Sequence, residues 1–247
     1  MERVEWLKQM REMTEAIYDH DAPEYWTNFG LYPNETQLEF LKKFLDRVQP
    51  HGRLLSAACG AGRYDGILLE AGHIVVGIDQ SAGMLERAKE HFPQIHYEKM
   101  GLQEMNFNEA FDGIICVDAL EHVCPEDWPG IARNFSKAVK VNGVLYFTVE
   151  VPNPEEVKAS YERAKAIGLP VVFGELADQV QSSYERMKAH IAQGKPGTLA
   201  DLEVYHYYPP LEQVRAWLEE AGLAIEEEGT GLWYQHFIAR KKKLIDD

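Results

Sequence analysis

The chain has 247 residues, 45% of them hydrophobic, and a formal net charge of −15. That size and apolar content fit one α/β domain with an elaboration and exclude a disordered chain. So acidic a surface repels a phosphate backbone and argues against a nucleic-acid partner; the one cationic run, Arg240 to Lys243, reads as a solvated strand end.

The three cysteines, Cys59, Cys116 and Cys124, form no CxxC pair and lack metal-ligand spacing to any histidine. They imply a reducing compartment, no disulfide framework and no metal. The opening "MERVEWLKQMREM" is charged from its second residue and lacks the apolar centre of a signal peptide. No stretch approaches the ~20 apolar residues of a membrane span. A cytoplasmic protein with no membrane partner is expected.

Residues 1–33 read as a helix followed by the aromatic-rich loop "YDHDAPEYWTNFGLYP". Asn34-Glu35-Thr36-Gln37 has the form of a capping box, and behind it Leu38, Leu41, Phe44, Leu45 and Val48 recur at helical spacing. From Arg53 strands and helices alternate. "RLLSAA" is a short buried strand, and residues 63–71 are helical and stop at Gly72. "HIVVGID" is a second strand, and Ser81 caps a helix that carries Met84, Leu85 and Ala88 on one side. "QIHYEK" and "DGIICV" are the third and fourth strands. A helix over 128–139, a turn at Asn142-Gly143 and the strand "VLYFTVE" follow. Such alternation predicts a mostly parallel sheet with helices on both faces.

After Pro152 the alternation breaks. Two helices are expected at 155–167 and 175–192, joined by "GLPVVFG" and ending in a flexible "QGKPGT"; an insertion of this size reads as a cap. A helix over 211–221 precedes "LAIEEEG" and "WYQHFIARKK", and so short a connection predicts an antiparallel pair at the sheet edge.

An open parallel sheet binds ligands at the carboxyl ends of its strands. The turn "AACGAGR" after the first strand lies there, and Gly60 and Gly62 let the chain bend and a ligand approach. The second strand ends in Asp79, about twenty residues on, where a carboxylate accepts both hydroxyls of a ribose. A dinucleotide fingerprint needs a small residue where Asp65 stands, and an acid there would face a pyrophosphate. The alternative is S-adenosylmethionine, which has a ribose and no phosphate.

The span Leu54 to Val149 resembles the class I S-adenosylmethionine-dependent methyltransferases. "LLSAACGAGRYDGILLEAGHIVVGIDQSAGMLERAKE" is similar to their first two cofactor motifs, "FDGIICVDALEHV" to their fourth-strand motif and "VKVNGVLYFTVE" to their fifth strand. The resemblance implies a Rossmann-like, doubly wound fold with seven strands, the last antiparallel. It implies that Ala58, Cys59, Gly60 and Gly62 form the cofactor turn and that Asp79 holds the ribose. Gln80 and Met84 would border the adenine, and Asp118 and Ala119 the methionine moiety. Ser56 and Ala58 stand where the family usually has an acid and a glycine. The adenine-contacting acid after the third strand is replaced within "KMGLQEM", where the Leu102 amide and Gln103 are expected to substitute. The expected division is an N-terminal helix and lid over 1–33, a cofactor-binding core over 34–152, a helical cap over 153–205 and the rest of the sheet over 206–247.

The remaining candidates come from position. Glu121 and His122 follow the fourth strand; His122 either takes a proton from the nucleophile or packs the loop. His206 carries the same two readings, and the two histidines are the candidate catalytic residues. Tyr205, Tyr207 and Tyr208 either line a substrate pocket or pack against the cap. Tyr18, Tyr25, Trp26 and Phe29 form either a lid over the cationic sulfonium or an apolar clasp. Trp233, Tyr234 and His236 are expected in the core. The expected activity is methyl transfer to an O, N, S or C nucleophile of a small molecule in an enclosed pocket. The rivals are an S-adenosylmethionine-binding protein without catalysis and a methyltransferase acting on protein or RNA.

Overall fold

The computed structural model describes residues 1–29, 34–178, 180–192 and 204–243. The strands are β1 (Arg53–Ala57), β2 (Ile74–Asp79), β3 (His96–Lys99), β4 (Phe111–Cys116), β5 (Val139–Glu150), β6 (Glu175–Leu176), β7 (His206–Tyr207), β8 (Leu223–Gly231) and β9 (Tyr234–Lys241). Seven form one sheet in the order β3-β2-β1-β4-β5-β9-β8. The first five are parallel, and β9 runs antiparallel between β5 and β8. The predicted doubly wound fold with an antiparallel last strand is what forms. β6 and β7 pair separately.

The helices are α1 (Arg3–Asp21), α2 (Tyr25–Phe29), α3 (Glu35–Leu45), α4 (Asp65–Glu70), α5 (Ala82–His91), α6 (Trp128–Ala138), α7 (Pro154–Ala166), α8 (Val180–Ala192) and α9 (Leu211–Glu220). Period-two alternation in the strands deals the core to two faces. Leu54, Val75, Ile115, Tyr146 and Ile238 pack with α3, α4 and α5. Their neighbours Leu55, Val76, Ile114, Leu145 and Phe237 pack with α1, α6 and α9. The helices answer with apolar stripes, such as Trp128, Ile131, Phe135 and Ala138 on α6. Both predicted caps form: Asn34 and Gln37 exchange a full capping box, and the Ser81 hydroxyl accepts from the Met84 amide at 3.1 Å. Among the described residues no helix is long and apolar enough to cross a membrane.

Several expectations change. The loop expected after α1 is helical as far as Phe29, through a 3-10 turn at Ala22–Glu24. The expected turn at Asn142 lies inside β5, with Asn142 at φ 65°. Trp233 is 69% exposed at the β8–β9 turn, not in the core, whereas His236 on the neighbouring strand is fully buried. The predicted flexible "QGKPGT" lies outside the described residues. The second helix of the insertion begins at Val180, because Glu175 is drawn into the core instead. Its buried carboxylate accepts from Arg3 at 2.7 Å, from the Tyr205 hydroxyl at 2.6 Å, from the Trp6 indole at 3.3 Å and from the Val172 amide at 2.6 Å.

This anchor joins α1 to the inserted segment. Removing one partner of a buried ion pair strands the others and costs about 3 kcal/mol or more. Glu175→Ala is therefore expected to lower unfolding free energy by about 3 kcal/mol in urea titration. A loss under about 1 kcal/mol would deny the anchor its role.

Candidate functional site

A cavity of about 980 Å³, counting its open mouth, lies at the carboxyl ends of β1, β2 and β4. The β1–α4 turn forms its floor. Ala58, Gly60 and Gly62 all have left-handed backbone, at φ 50°, 53° and 83°. At Gly62 a Cβ would crowd Phe92, Asp65 and Tyr97 at 3.1 to 3.2 Å, so this glycine serves the turn. The Asp79 carboxylate fixes the turn to the next helix. It accepts the Gly60 amide at 2.8 Å on one oxygen and the Ser81 amide at 2.8 Å on the other. Burial pushes Asp79 up to about 6, against the two amides that favour its charge.

Asp118 follows β4 in left-handed backbone at φ 54°. Its amide donates to Thr148 Oγ1 at 2.9 Å, and its carboxylate is crowded with donors. Gln37 Nε2 reaches both oxygens at 2.7 and 2.8 Å, the Tyr64 hydroxyl one at 2.9 Å and Arg63 the same one at 3.2 Å. Helix α1 forms the opposite wall with Arg11, Thr14 and Tyr18, spaced to share one face. Asp19 docks the end of that helix on α5, accepting from the Ser81 hydroxyl at 2.6 Å and the Gly83 amide at 2.9 Å. Arg11 makes a bidentate pair with Asp127 at 2.8 to 2.9 Å.

His122 Nδ1 lies 3.0 Å from the Tyr205 carbonyl. A carbonyl only accepts, so Nδ1 carries the proton and Nε2 is bare. The Tyr18 hydroxyl, 2.7 Å from Nε2, therefore donates to it. Burial, and then the neighbouring His206, hold His122 down to about 3. As placed, His122 orients Tyr18 and is a poor proton acceptor. His206 lies outside the cavity wall. Its ring centre is 4.8 Å from that of His122, and Nδ1 turns to the Val204 carbonyl at 3.0 Å.

Of the residues singled out in the sequence, Ala58, Cys59, Gly60, Asp79, Gln80, Met84, Leu102, Gln103, Asp118, Ala119, Tyr18, Tyr25 and His122 line the cavity. Gly62, Trp26, Tyr205, Tyr207 and His206 do not. Trp26 packs on His91 with ring centres 4.4 Å apart, and Tyr205 is wholly buried with its hydroxyl on Glu175. Arg11, Thr14, Arg63, Tyr64 and Met100 line the wall without having been foreseen. The i, i+3, i+7 spacing of Arg11, Thr14 and Tyr18 was the signal available for the first two.

Doubly wound topology, a glycine turn after β1 and an acid ending β2 define a nucleotide-cofactor-binding α/β domain. Residues 55–147 match the model of the methyltransferase domain family. Ubiquinone biosynthesis O-methyltransferase of Haemophilus ducreyi is 31% identical over 106 residues, covering 39% of this chain and 44% of that protein. Its Histophilus somni counterpart is 30% identical over 146 residues, covering 53% and 60%. The chain thus spans about half the length of these relatives. Among solved structures, the Burkholderia thailandensis 1,6-didemethyltoxoflavin-N1-methyltransferase, with 1,6-didemethyltoxoflavin and S-adenosylhomocysteine bound, superposes with a TM-score of 0.63 at 16% identity, over 98% of this chain and 92% of that one. A Methanosarcina mazei S-adenosylmethionine-dependent methyltransferase does so with 0.62 at 16% identity, over 80% and 95%. Residues 55–147 are thus similar to the methyltransferase domain family, within a fold that solved S-adenosylmethionine-dependent methyltransferases share.

Beside this site, Glu121 carries a testable electrostatic signature. It is 6% exposed, and burial pushes it up to about 8. The folded protein thus holds this proton more tightly than the unfolded chain. The stabilisation is complete below the ordinary carboxylate range and is lost as pH rises through about 8. Glu121→Gln lacks this dependence. Its melting temperature relative to wild type is expected to be higher at pH 9 than at pH 5, measured without ligand. Asp65 and Asp79, present in both proteins, cancel. An equal difference at the two pH values would place Glu121 in a solvated setting.

Proposed function

We propose that this protein transfers a methyl group from S-adenosylmethionine to a small-molecule nucleophile. The observation that carries the reading is Asp79. Two backbone amides take one lone pair on each carboxylate oxygen, and the group still lines the cavity. The remaining lone pairs suit the two adjacent hydroxyls of a ribose. Met84, Met100 and Leu102 offer the flat apolar walls an adenine needs, and the Leu102 amide and Gln103 its polar edge. Ala58, Cys59 and Gly60 bring the backbone close, Gln80 borders the adenine with Met84, and Asp118 and Ala119 border the methionine end. Arg63, held on Asp118, and Arg11, held on Asp127, are cations that border the cavity beside its carboxylate. Solved neighbours with S-adenosylhomocysteine or S-adenosylmethionine bound support the choice, among them the toxoflavin enzyme and a Synechocystis magnesium protoporphyrin IX methyltransferase, which superposes at TM-score 0.56.

When bound, S-adenosylmethionine supplies a methyl carbon already made electrophilic by the sulfonium. The chain's share is orientation and exclusion of water. Helix α1 covers the cavity as the lid, with Arg11, Thr14 and Tyr18 on its inner face. Tyr18 spends its hydroxyl proton on His122, which leaves oxygen lone pairs and a ring face to meet a cation. Tyr25 completes that wall. The Cys59 thiol is buried, and burial pushes it well above the ordinary thiol range, so it takes no part as a nucleophile.

Asp79→Ala is expected to weaken S-adenosylhomocysteine binding by about tenfold to a hundredfold in calorimetry, the worth of a charged hydrogen-bonding pair. Unchanged affinity in a folded variant would remove Asp79 from the site. Incubation of the purified protein with S-adenosylmethionine and fractionated metabolites, read by mass spectrometry, tests the activity: S-adenosylhomocysteine is expected from a small-molecule fraction and not with the variant.

A further inference from the structure

The capping box of α3 reaches into the site. Gln37, its third helical residue, begins the stripe that Phe40, Leu41 and Phe44 continue, and like them it is buried. A buried amide needs a partner at each end. Gln37 Oε1 accepts the Asn34 amide at 3.0 Å, so Nε2 is the end turned inward, where it donates to the two oxygens of Asp118 at 2.7 and 2.8 Å. Glutamate completes a capping box as well as glutamine does, but here it would set a second carboxylate against Asp118. The amide serves the acid as well as the cap.

Asp118 is constrained on its other sides too. Its backbone is left-handed at φ 54°, which is costly for a residue with a Cβ, and its amide is fixed on Thr148 Oγ1. Oδ2 accepts from the Tyr64 hydroxyl and from Arg63 as well as from Gln37, whereas Oδ1 accepts from Gln37 alone among the described residues. Every one of these partners is a donor, so the group is an ionised carboxylate, and Oδ1 keeps lone pairs for one donor more. Asp118 and Arg63 both line the cavity, and Arg63 directly follows Gly62 of the turn after β1. An amino-acid tail carries an ammonium and a carboxylate on one carbon. The Asp118–Arg63 pair, 3.2 Å apart, offers the complementary charges within the same reach.

Resting on the S-adenosylmethionine reading above, we propose that Gln37 is a positioning residue for the amino-acid end of the cofactor: it fixes the Asp118 carboxylate so that Oδ1 receives the α-ammonium while Arg63 meets the α-carboxylate. Gln37 itself does not touch the ligand. It acts by stopping Asp118 from turning. Arginine and a carboxylate prefer a bidentate pair, and Asp118 released from Gln37 would turn both oxygens onto Arg63 and leave neither charge for the ligand's tail.

Calorimetry on the full chain tests this with three ligands: S-adenosylhomocysteine, its analogue lacking the α-amino group, and 5′-methylthioadenosine, which lacks the whole tail. S-adenosylhomocysteine is expected to bind about tenfold or more tightly than the deaminated analogue, the worth of a hydrogen bond to a charged group. Asp118→Asn and Gln37→Met are each expected to remove most of that preference, and Gln37→Met to leave the affinity for 5′-methylthioadenosine unchanged. A glutamine that only supports the fold would lower all three affinities together. That result, or a preference intact in either variant, would overturn the proposal. Where Gln37→Met does not fold, the side-chain amide resonances of Gln37 are followed by NMR in the wild-type chain. They are expected to shift with S-adenosylhomocysteine and to stay in place with the deaminated analogue; equal shifts with both, or no shift with either, would overturn the proposal. Failure of all three ligands to bind the wild-type chain would instead sink the S-adenosylmethionine reading on which the proposal rests, and is seen in the first titrations.

Discussion

The cavity depends on two hydrogen bonds to one carboxylate. Asp79 holds the Gly60 amide and the Ser81 amide, and so ties the turn after β1 to the start of α5. A turn with left-handed backbone at Ala58, Gly60 and Gly62 is conformationally expensive, Ala58 most of all because it carries a Cβ. It persists because its surroundings over-determine it. The Cys59 amide is pinned to the Ile78 carbonyl at 2.9 Å, and the Gly62 amide to the Cys59 carbonyl at 3.0 Å. Parallel pairing of Ala57 with Ile78 brings the end of β2 beside that turn, so the acid needs no long reach.

Helix α1 is the second requirement, and it is stitched across four elements. Asp19 grips the cap of α5, Arg11 the start of α6, Arg3 the buried Glu175 of β6, and Tyr18 the loop after β4 through His122. Trp6, Met10, Met13 and Ile17 supply its apolar underside. Exposed ion pairs contribute little on their own. These are partly buried, they fix orientation, and the apolar face supplies the driving force.

These two requirements differ in how far the sequence reveals them. The core fold was legible because alternation and glycine turns are local signals, and a parallel sheet leaves few topologies open. The turn residues and Asp79 were legible for the same reason: both lie at strand ends. The wall formed by α1 was not. Its contacts with His122, Asp127 and Glu175 span more than a hundred residues, and no local pattern announces them. Glu175 shows the failure in small. Its neighbours read as helix, but an acid with Arg3, Trp6 and Tyr205 as partners is pulled inward, and the backbone follows as a two-residue strand. Tyr205 and Tyr207 went astray likewise: an aromatic run near a pocket looks like lining until a distant acid claims one hydroxyl.

The acids along this rim sort by what satisfies them. Asp79 has backbone amides, Asp118 has Arg63 with Gln37 and Tyr64, Asp127 has Arg11, and Glu175 has Arg3. Each of these partners is part of the chain, so each acid does structural work whether or not a ligand is present. Glu121 departs from the pattern. Its nearest basic group is His122, which burial keeps neutral and whose Nε2 is already committed to the Tyr18 hydroxyl. A group that the fold leaves buried and half-satisfied gives nothing to stability as an anion. The fold accommodates it in its protonated form, which burial favours up to about 8.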